Sequence, residues 1–168
     1  MSRGFVREDD QEEPIFIPQR APLPANLDNL VTPSGLRLLH NEREELERER
    51  TEVQNTDEVA RRRELAEING KVTLLEERIA SARIVEPGSK PNKEVRFGAT
   101  VTFVILDGKQ KGVERTFTLV GVDEANVAEG RIAYFAPIAQ ALLGKKKGQK
   151  ATFRLGPEVQ RLEVKNIV

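Results

Sequence analysis

An apolar stripe along residues 65–82 constrains the fold of this chain more than any other feature. Its members recur at alternating spacings of three and four and are Leu65, Ile68, Val72, Leu75, Ile79 and Ala82. That spacing is typical of the a and d positions of a coiled coil. The positions between them are mostly charged, so the helix can bury only one narrow side. Such a helix needs a single partner helix.

The segment before the stripe predicts that partner. A second set of apolar positions is formed by Leu36, Leu39, Leu46 and Val53. Thr32 followed by Pro33 indicates a helix start, because threonine caps the first turn and proline fits the first helical position. At about 1.5 Å per residue, roughly 20 residues make a rod of about 30 Å. We therefore predict an antiparallel coiled-coil helical hairpin over residues 32–86.

The bend of this hairpin is predicted at residues 53–56. Asn55, followed three residues later by Glu58, indicates a capping box that begins the second helix. Pro87 and Gly88 are predicted to end that helix, since both residues disfavour its continuation.

Residues 1–31 show neither helical nor strand periodicity. They combine an acidic run with frequent prolines, namely Glu8, Asp9, Asp10, Glu12, Glu13, Pro14, Pro18, Pro22 and Pro24. This composition predicts an extended, largely disordered tail. The apolar residues Ile15, Phe16, Ile17 and Leu23 leave a second arrangement open, in which part of the tail lies along the rest of the protein.

The pattern changes to a period of two after a linker at residues 87–94. Alternating apolar residues at 95–103 and 116–119 predict strands, and Asp107-Gly108 predicts the turn between them. The further elements predicted are a short helix at 137–143 closed by Gly144 and strands near 150–155 and 160–167. Residues 95–168 are therefore predicted to form a small domain, an antiparallel sheet with one short helix, which makes the whole chain α+β.

Composition excludes several kinds of chemistry. The chain has no Cys and no Trp, so disulfides, thiolate metal sites and cysteine nucleophiles are excluded. No apolar run approaches the roughly 20 residues of a membrane span, and residues 1–10 do not resemble a signal peptide, so we expect a cytoplasmic protein. Although the net charge is zero, residues 1–88 carry 19 acids against 13 bases, and residues 89–168 carry 8 against 14. An acidic arm on a basic head suggests two different contact surfaces.

The candidate sites are few. His40 is the only histidine, and nothing places it in a catalytic triad. The basic cluster of Lys145, Lys146, Lys147 and Lys150 is either a solvated loop or a contact for phosphates or an acidic protein surface. At the bend, Glu52, Asp57 and Glu58 could share a Mg²⁺ ion. Asp57 and Glu58 also have a structural interpretation, which we favour, because the first turn of a helix favours acids.

Several stretches resemble the bacterial Gre transcript cleavage factors. Residues 95–103 (VRFGATVTF), 117–124 (FTLVGVDE) and 136–148 (APIAQALLGKKKG) resemble their head domain. Residues 32–36 (TPSGL) and 65–86 resemble their arm helices. The resemblance covers residues 32–168 and does not include residues 1–31. It implies an FKBP-like head on the rim of the secondary channel of RNA polymerase, with a coiled-coil finger that enters the channel.

In that family, an Asp and a Glu at the fingertip help to hold the second Mg²⁺ of the polymerase, which cleaves backtracked RNA. Here the corresponding positions are Thr51 and Gln54, and only Asn55 and Asp57 match the family motif. The first helix is also shorter by about four turns, roughly 20 Å. Neutral side chains cannot replace two anionic ligands. The resemblance therefore implies a divergent factor that modulates elongation or initiation more readily than it stimulates cleavage.

The resemblance also supplies candidate residues and partners. The tip candidates are Glu52, Asn55, Asp57 and Glu58, with Glu52 and Asp57 as metal ligands only within the polymerase complex. The candidate polymerase-binding residues are Phe135, Ala136, Pro137, Lys145, Lys146 and Lys147, where Phe135-Ala136-Pro137 stands in place of the family's Asp-Ser-Pro. We expect a monomer that is not itself an enzyme, has no cofactor of its own, does not bind membranes, and meets nucleic acid only indirectly within the transcription complex.

Two other functions remain open at this point. An FKBP-like head could be a prolyl isomerase, although such sites need an aromatic-lined pocket and this chain has no Trp and one Tyr. Alternatively, the hairpin could be a non-enzymatic interaction module, such as a dimerisation coiled coil.

Overall fold

The computed structural model describes residues 14–86, 88 and 92–168. Two long helices, α1 (Pro33–Glu52) and α2 (Glu58–Ala80), are joined by a short loop and pack against each other as an antiparallel hairpin. Their shared core consists of Val31, Leu39, Leu46 and Leu75, with Leu36, Val72, Ile79 and Ala82 packed around it. The predicted coiled-coil hairpin is confirmed. None of the helices in the described ranges has the length and apolar content of a membrane span.

The helix starts follow the capping rules, with one correction. Thr32 caps α1, and its Oγ1 accepts a hydrogen bond from the backbone N of Gly35 at 2.9 Å. The predicted cap of α2 at Asn55 is wrong, because the cap is Asp57, whose Oδ1 accepts from the backbone N atoms of Val59 and Ala60. Asn55 instead accepts from the backbone N of Asp57 at 3.2 Å and shapes the loop before the helix.

The second helix ends earlier than predicted, at Ala80 rather than at Pro87. Strand β2 (Ala82–Ile84) follows it and pairs in parallel with β1 (Asn29–Val31). Asn29 is buried and donates from its side chain to the carbonyl oxygen of Arg78 at 2.8 Å, which satisfies a carbonyl at the helix end. This two-stranded sheet forms the root of the hairpin, in a region where the sequence predicted no strand.

The head contains a five-stranded sheet. Its elements are β3 (Thr100–Ile105), β4 (Glu114–Val120), β5 (Arg131–Ala133), α3 (Pro137–Leu142), β6 (Lys150–Leu155) and β7 (Glu158–Ile167). The strand order is β5-β4-β3-β7-β6. The predicted α+β head is confirmed, but its sheet is mixed rather than antiparallel, because the short strand β5 runs parallel to β4. The first strand of the head, β3, begins at Thr100, five residues later than the alternating apolar pattern predicted.

The core of the head lies between one face of the sheet and α3. Strand β3 alternates, so that Val101, Phe103 and Ile105 are buried and the residues between them are not. The buried residues that meet them are Val95, Leu119, Ile132, Ala139, Leu142, Ala151, Leu162 and Val164. The head therefore has an apolar core separate from that of the hairpin.

The register of the strands defines two ends of the sheet. Thr100 of β3 pairs with Thr118 near the end of β4, and Ala133 of β5 pairs with Val120. The loops that leave this end, including residues 121–124, contact the root of the hairpin. We call it the arm-side end. The turns at residues 106–113 and 156–157 lie at the opposite end.

Candidate functional site

The tip of the hairpin brings the four predicted tip residues into one short stretch. Glu52 is the last residue of α1, Glu58 is the first of α2, and Asn55 and Asp57 lie in the loop between them. All four are exposed. The carboxylate of Asp57 is occupied as a helix cap, with hydrogen bonds of 2.8 and 3.1 Å to backbone N–H groups. Asp57 therefore has a structural role whatever the tip binds.

An acidic groove lies just below the tip, between the two helices. It has a volume of about 370 Å³ and is lined by Glu49, Glu52, Val53, Glu64, Glu67, Ile68 and Lys71. Lys71 pairs with Glu67 at 2.7 Å, and this hydrogen bond raises the pKa of Lys71. Across residues 14–86, 88 and 92–168, no group of three or more His, Asp or Glu residues has the arrangement of a metal site. The role of Glu52 and Asp57 as metal ligands stays a prediction.

The predicted polymerase-binding residues of the head lie beside an aromatic cluster. The ring of Phe135 meets that of Tyr134 edge to face at 5.4 Å, and Tyr134 meets Phe97 in the same way at 5.5 Å. Pro137 is exposed and begins α3, and Ala136 precedes it at the cap position. Phe97 and Phe135 are half-buried, so this cluster offers apolar area at the surface. Sequence analysis did not identify Phe97 as part of it, because its partner Tyr134 is distant in the chain.

The lysine cluster follows α3, the helix that Pro137 begins. The loop after α3 is held by backbone hydrogen bonds from Val95 N to Lys145 O and from Gly144 N to Val95 O, at 2.8 and 2.7 Å. Lys146 and Lys147 are exposed, and the chain then enters β6. We call residues 135–137 and 145–147, which precede and follow α3, together the arm-side surface, because Phe135 adjoins Tyr134, whose hydroxyl donates to Asp28 beside the root of the hairpin. The backbone of the loop after α3 is therefore held in place, while the side chains of Lys146 and Lys147 reach solvent.

A third group of residues joins the hairpin to the head. The hydroxyl of Thr32 donates to Glu124 at 2.5 Å, and Glu124 is only 7% exposed. The loop that carries Glu124 starts at Gly121, where a Cβ atom would overlap the carbonyl oxygen of Leu30. The Tyr134 hydroxyl donates to the Asp28 carbonyl at 2.7 Å, and burial raises the pKa of Tyr134. Sequence analysis gave no role to Glu124 or Gly121 in this joint.

Comparison with known proteins identifies the family. Residues 90–168 match the family model described as transcription elongation factor, GreA/GreB, C-terminal. A transcription elongation factor GreA of Roseiflexus castenholzii is 31% identical over 159 residues, which are 93% of this chain and 98% of that protein. The chain belongs to the GreA/GreB family. The resemblance drawn from the sequence is thereby confirmed.

Other members of the GreA/GreB family match over a shorter stretch. A GreA of Hyphomonas neptunium is 36% identical over 101 residues, which are 60% of this chain and 62% of that protein. Among solved structures, the GreA factor homolog 1 (Gfh1) of Thermus thermophilus is 22% identical. The match covers 84% of this chain and 99% of the Gfh1 chain, with a TM-score of 0.38. A GreA/GreB factor from Nitrosomonas europaea is 20% identical and covers 83% of this chain and 98% of its own, with a TM-score of 0.39.

Proposed function

We propose that this GreA/GreB-family chain binds RNA polymerase, with the hairpin in the secondary channel and the arm-side surface on the channel rim. The observation that carries the proposal is the placement of the two surfaces. Phe135 of the arm-side surface lies beside the root of the hairpin, since the neighbouring Tyr134 donates to Asp28 there, and the tip lies one helix length away, about 30 Å for the 20 residues of α1. A single partner that has a channel about 30 Å deep, with a rim around it, contacts the tip and the arm-side surface at the same time.

The contact at the rim depends on packing more than on polar recognition. The family's Asp-Ser-Pro is replaced by Phe135-Ala136-Pro137, and Phe135 belongs to the aromatic cluster with Tyr134 and Phe97. Aromatic anchors dominate the binding energy of many interfaces, whereas exposed lysines at a rim mainly accelerate association.

Binding is tested by retention on immobilised core polymerase. We expect the double variant Phe135→Ala/Pro137→Ala to bind about tenfold more weakly or worse, the range of a lost anchor. A matched control is Lys109→Ala/Lys111→Ala, in the turn at the opposite end of the sheet, which should bind like the unmodified protein. If polymerase fails to retain the unmodified protein, the proposal is wrong.

The lysines are tested separately by their effect on association rate. Reversing Lys145, Lys146 and Lys147 to Glu should slow association, most strongly at low salt, because charges at a rim steer the encounter. The same reversal at Lys109, Lys111 and Arg154, three exposed cations toward the opposite end of the sheet, changes the net charge equally and serves as the control. Equal effects of both reversals would show that only the total charge matters and would remove these lysines from the interface.

The second part of the proposal is that the factor modulates elongation or initiation without stimulating transcript cleavage. Thr51 and Gln54 carry no charge at the positions where the family places its acids, and the Asp57 carboxylate caps α2. These residues do not fit the family's role in holding Mg²⁺. Stalled, backtracked complexes should therefore show no shortening of the RNA beyond the intrinsic rate, and Glu52→Ala should change nothing. Shortening that depends on Glu52 would refute this part.

We also propose that the head is not a prolyl isomerase and that the protein is a monomer. The only tyrosine is 8% exposed, and its hydroxyl already donates to Asp28, so it does not line an open pocket. A peptide isomerisation assay should show no acceleration. The stripe of α2 is covered by α1 within the same chain, so sedimentation should give the mass of one chain.

A further inference from the structure

Residues 14–28, which we call the strap, contain no helix or strand and contact α1, α2 and the head loop at residues 121–124. Ile17, Arg20 and Leu23 are half-buried, and the residues between them are exposed. A repeat of three residues is that of a polyproline II helix, which the prolines in this segment favour. The strap therefore presents one side to the protein along its length. This is the second of the two arrangements that the sequence left open for residues 14–28, whereas residues 1–13 lie outside the described residues.

The strap is seated on α2 at a glycine. Gly70 lies in the middle of that helix, where glycine is less favourable than alanine. A Cβ atom at this position would overlap the side chain of Ile17. The missing side chain therefore makes the notch that Ile17 fills.

Arg20 connects the strap to both parts of the protein. Its two terminal nitrogens donate to the two carboxylate oxygens of Glu42 in α1, at 2.7 and 3.0 Å. Its Nη2 and Nε also donate to Oδ1 of Asp123 in the head, at 2.8 and 3.2 Å. One planar guanidinium thus joins three segments that are far apart in sequence, and the pairing with Glu42 is bidentate.

Asp123 is the point at which these contacts converge. Its side chain is 9% exposed, and its other oxygen accepts from Arg78 of α2 at 2.9 Å. Arg78 in turn donates to the carbonyl oxygen of Ala21 in the strap at 2.7 Å. Removing one member of such a network leaves the others partly buried with fewer partners, which is costly for charged groups.

We propose that the strap is a clamp that fixes the angle of the hairpin to the head, with Arg20 and Asp123 as its fastening pair. The strap touches α1, α2 and the head loop at once, so a change of angle has to break its contacts. Loss of Arg20 should raise the population of other angles by about 10- to 100-fold, which is the equivalent of one hydrogen bond between charged groups.

The test measures the angle directly in the full-length protein without polymerase. Because the chain has no cysteine, Glu47→Cys on α1 and Lys109→Cys at the far end of the head give two unique spin-label positions. Both residues are exposed. Pulsed dipolar spectroscopy should give one narrow distance distribution in the otherwise unmodified chain. Arg20→Ala should broaden it and add a second population.

The matched control is Arg83→Ala. Arg83 also pairs with a strap residue, Asp28, at 3.1 Å, but both side chains of this pair are exposed. Exposed pairs contribute little, so its distribution should stay narrow. If Arg20→Ala gives the same distribution as Arg83→Ala, the clamp does not exist.

Gly70→Ala provides a test that does not touch any charge. The substitution favours the helix itself but displaces Ile17 from its notch. We expect an unchanged or higher helix content together with a broadened distance distribution, which separates release of the strap from unfolding of the hairpin. A narrow distribution in either Gly70→Ala or Arg20→Ala would overturn the proposal. Since polymerase is absent, this result is independent of the proposed function.

Discussion

Leu75→Ala tests the packing on which the hairpin depends. Leu75 lies on α2 with no exposed surface and packs with Val31, Leu39 and Leu46 in the hairpin core. Truncating a fully buried leucine removes its transfer free energy and leaves a cavity, which together cost about 2–5 kcal/mol. Since about 1.4 kcal/mol corresponds to a factor of ten, the equilibrium constant for folding should decrease by a factor of about 30 to a few thousand.

The measurement is urea unfolding followed by helical circular dichroism, because most of the helical residues belong to the hairpin. Leu38→Ala is the matched control, as it makes the same substitution on α1 at a leucine that is 46% exposed. Its effect should stay within about 0.5 kcal/mol. If Leu75→Ala destabilises the protein no more than Leu38→Ala does, the two helices are not held together by this seam, and the intramolecular hairpin is refuted.

Three further predictions concern the joint between hairpin and head. Thr32→Ala should destabilise the protein by about 1–3 kcal/mol in chemical denaturation, because it removes a helix cap and leaves the buried Glu124 without its donor, whereas Thr32→Ser should retain most of the stability. Tyr134 is the only Tyr and there is no Trp, so alkaline absorbance titration reports on it alone. Burial and the nearby Asp28 charge should place its midpoint above the ordinary pKa of 10.0, and urea should return it to 10.0. The neutral phenol therefore contributes stability below pH 10.0 that is lost as the pH rises through the higher folded pKa. Gly121→Ala should accelerate amide hydrogen exchange in residues 29–31, because its Cβ overlaps the carbonyl oxygen of Leu30 and pushes β1 away from the head.

The hairpin and most of the head could be predicted because their signals are local and repeated. The seam residues recur over several turns, and Thr32-Pro33 marks the start of α1 within one residue. The strands β6 and β7 and the helix α3 were likewise found within about two residues, since a glycine or proline stands at their boundaries.

The root of the hairpin could not be predicted in this way. Strands β1 and β2 have three residues each, pair in parallel, and lie about 50 residues apart in the chain. Such short strands give no periodicity, and their pairing depends on the hairpin that brings them together. The β-branched residues Ile84 and Val85 were the only local signal that α2 ends before Pro87. Strand β5, equally short, was missed for the same reason.

Burial along the hairpin shows how its stability is distributed. Within residues 47–67, all of which the structure describes, no side chain is buried, and the buried seam residues Leu39, Leu46, Ile68 and Leu75 all lie between this stretch and the root. Local opening needs less free energy where few apolar contacts are broken, so residues 47–67 should open more readily than the root. The polar joint at Asp123 and Glu124 lies at the stable end, where a small change of angle moves the tip through the largest distance. Control of the direction of the arm therefore belongs to the root, and the exposed tip can vary in sequence without loss of the fold.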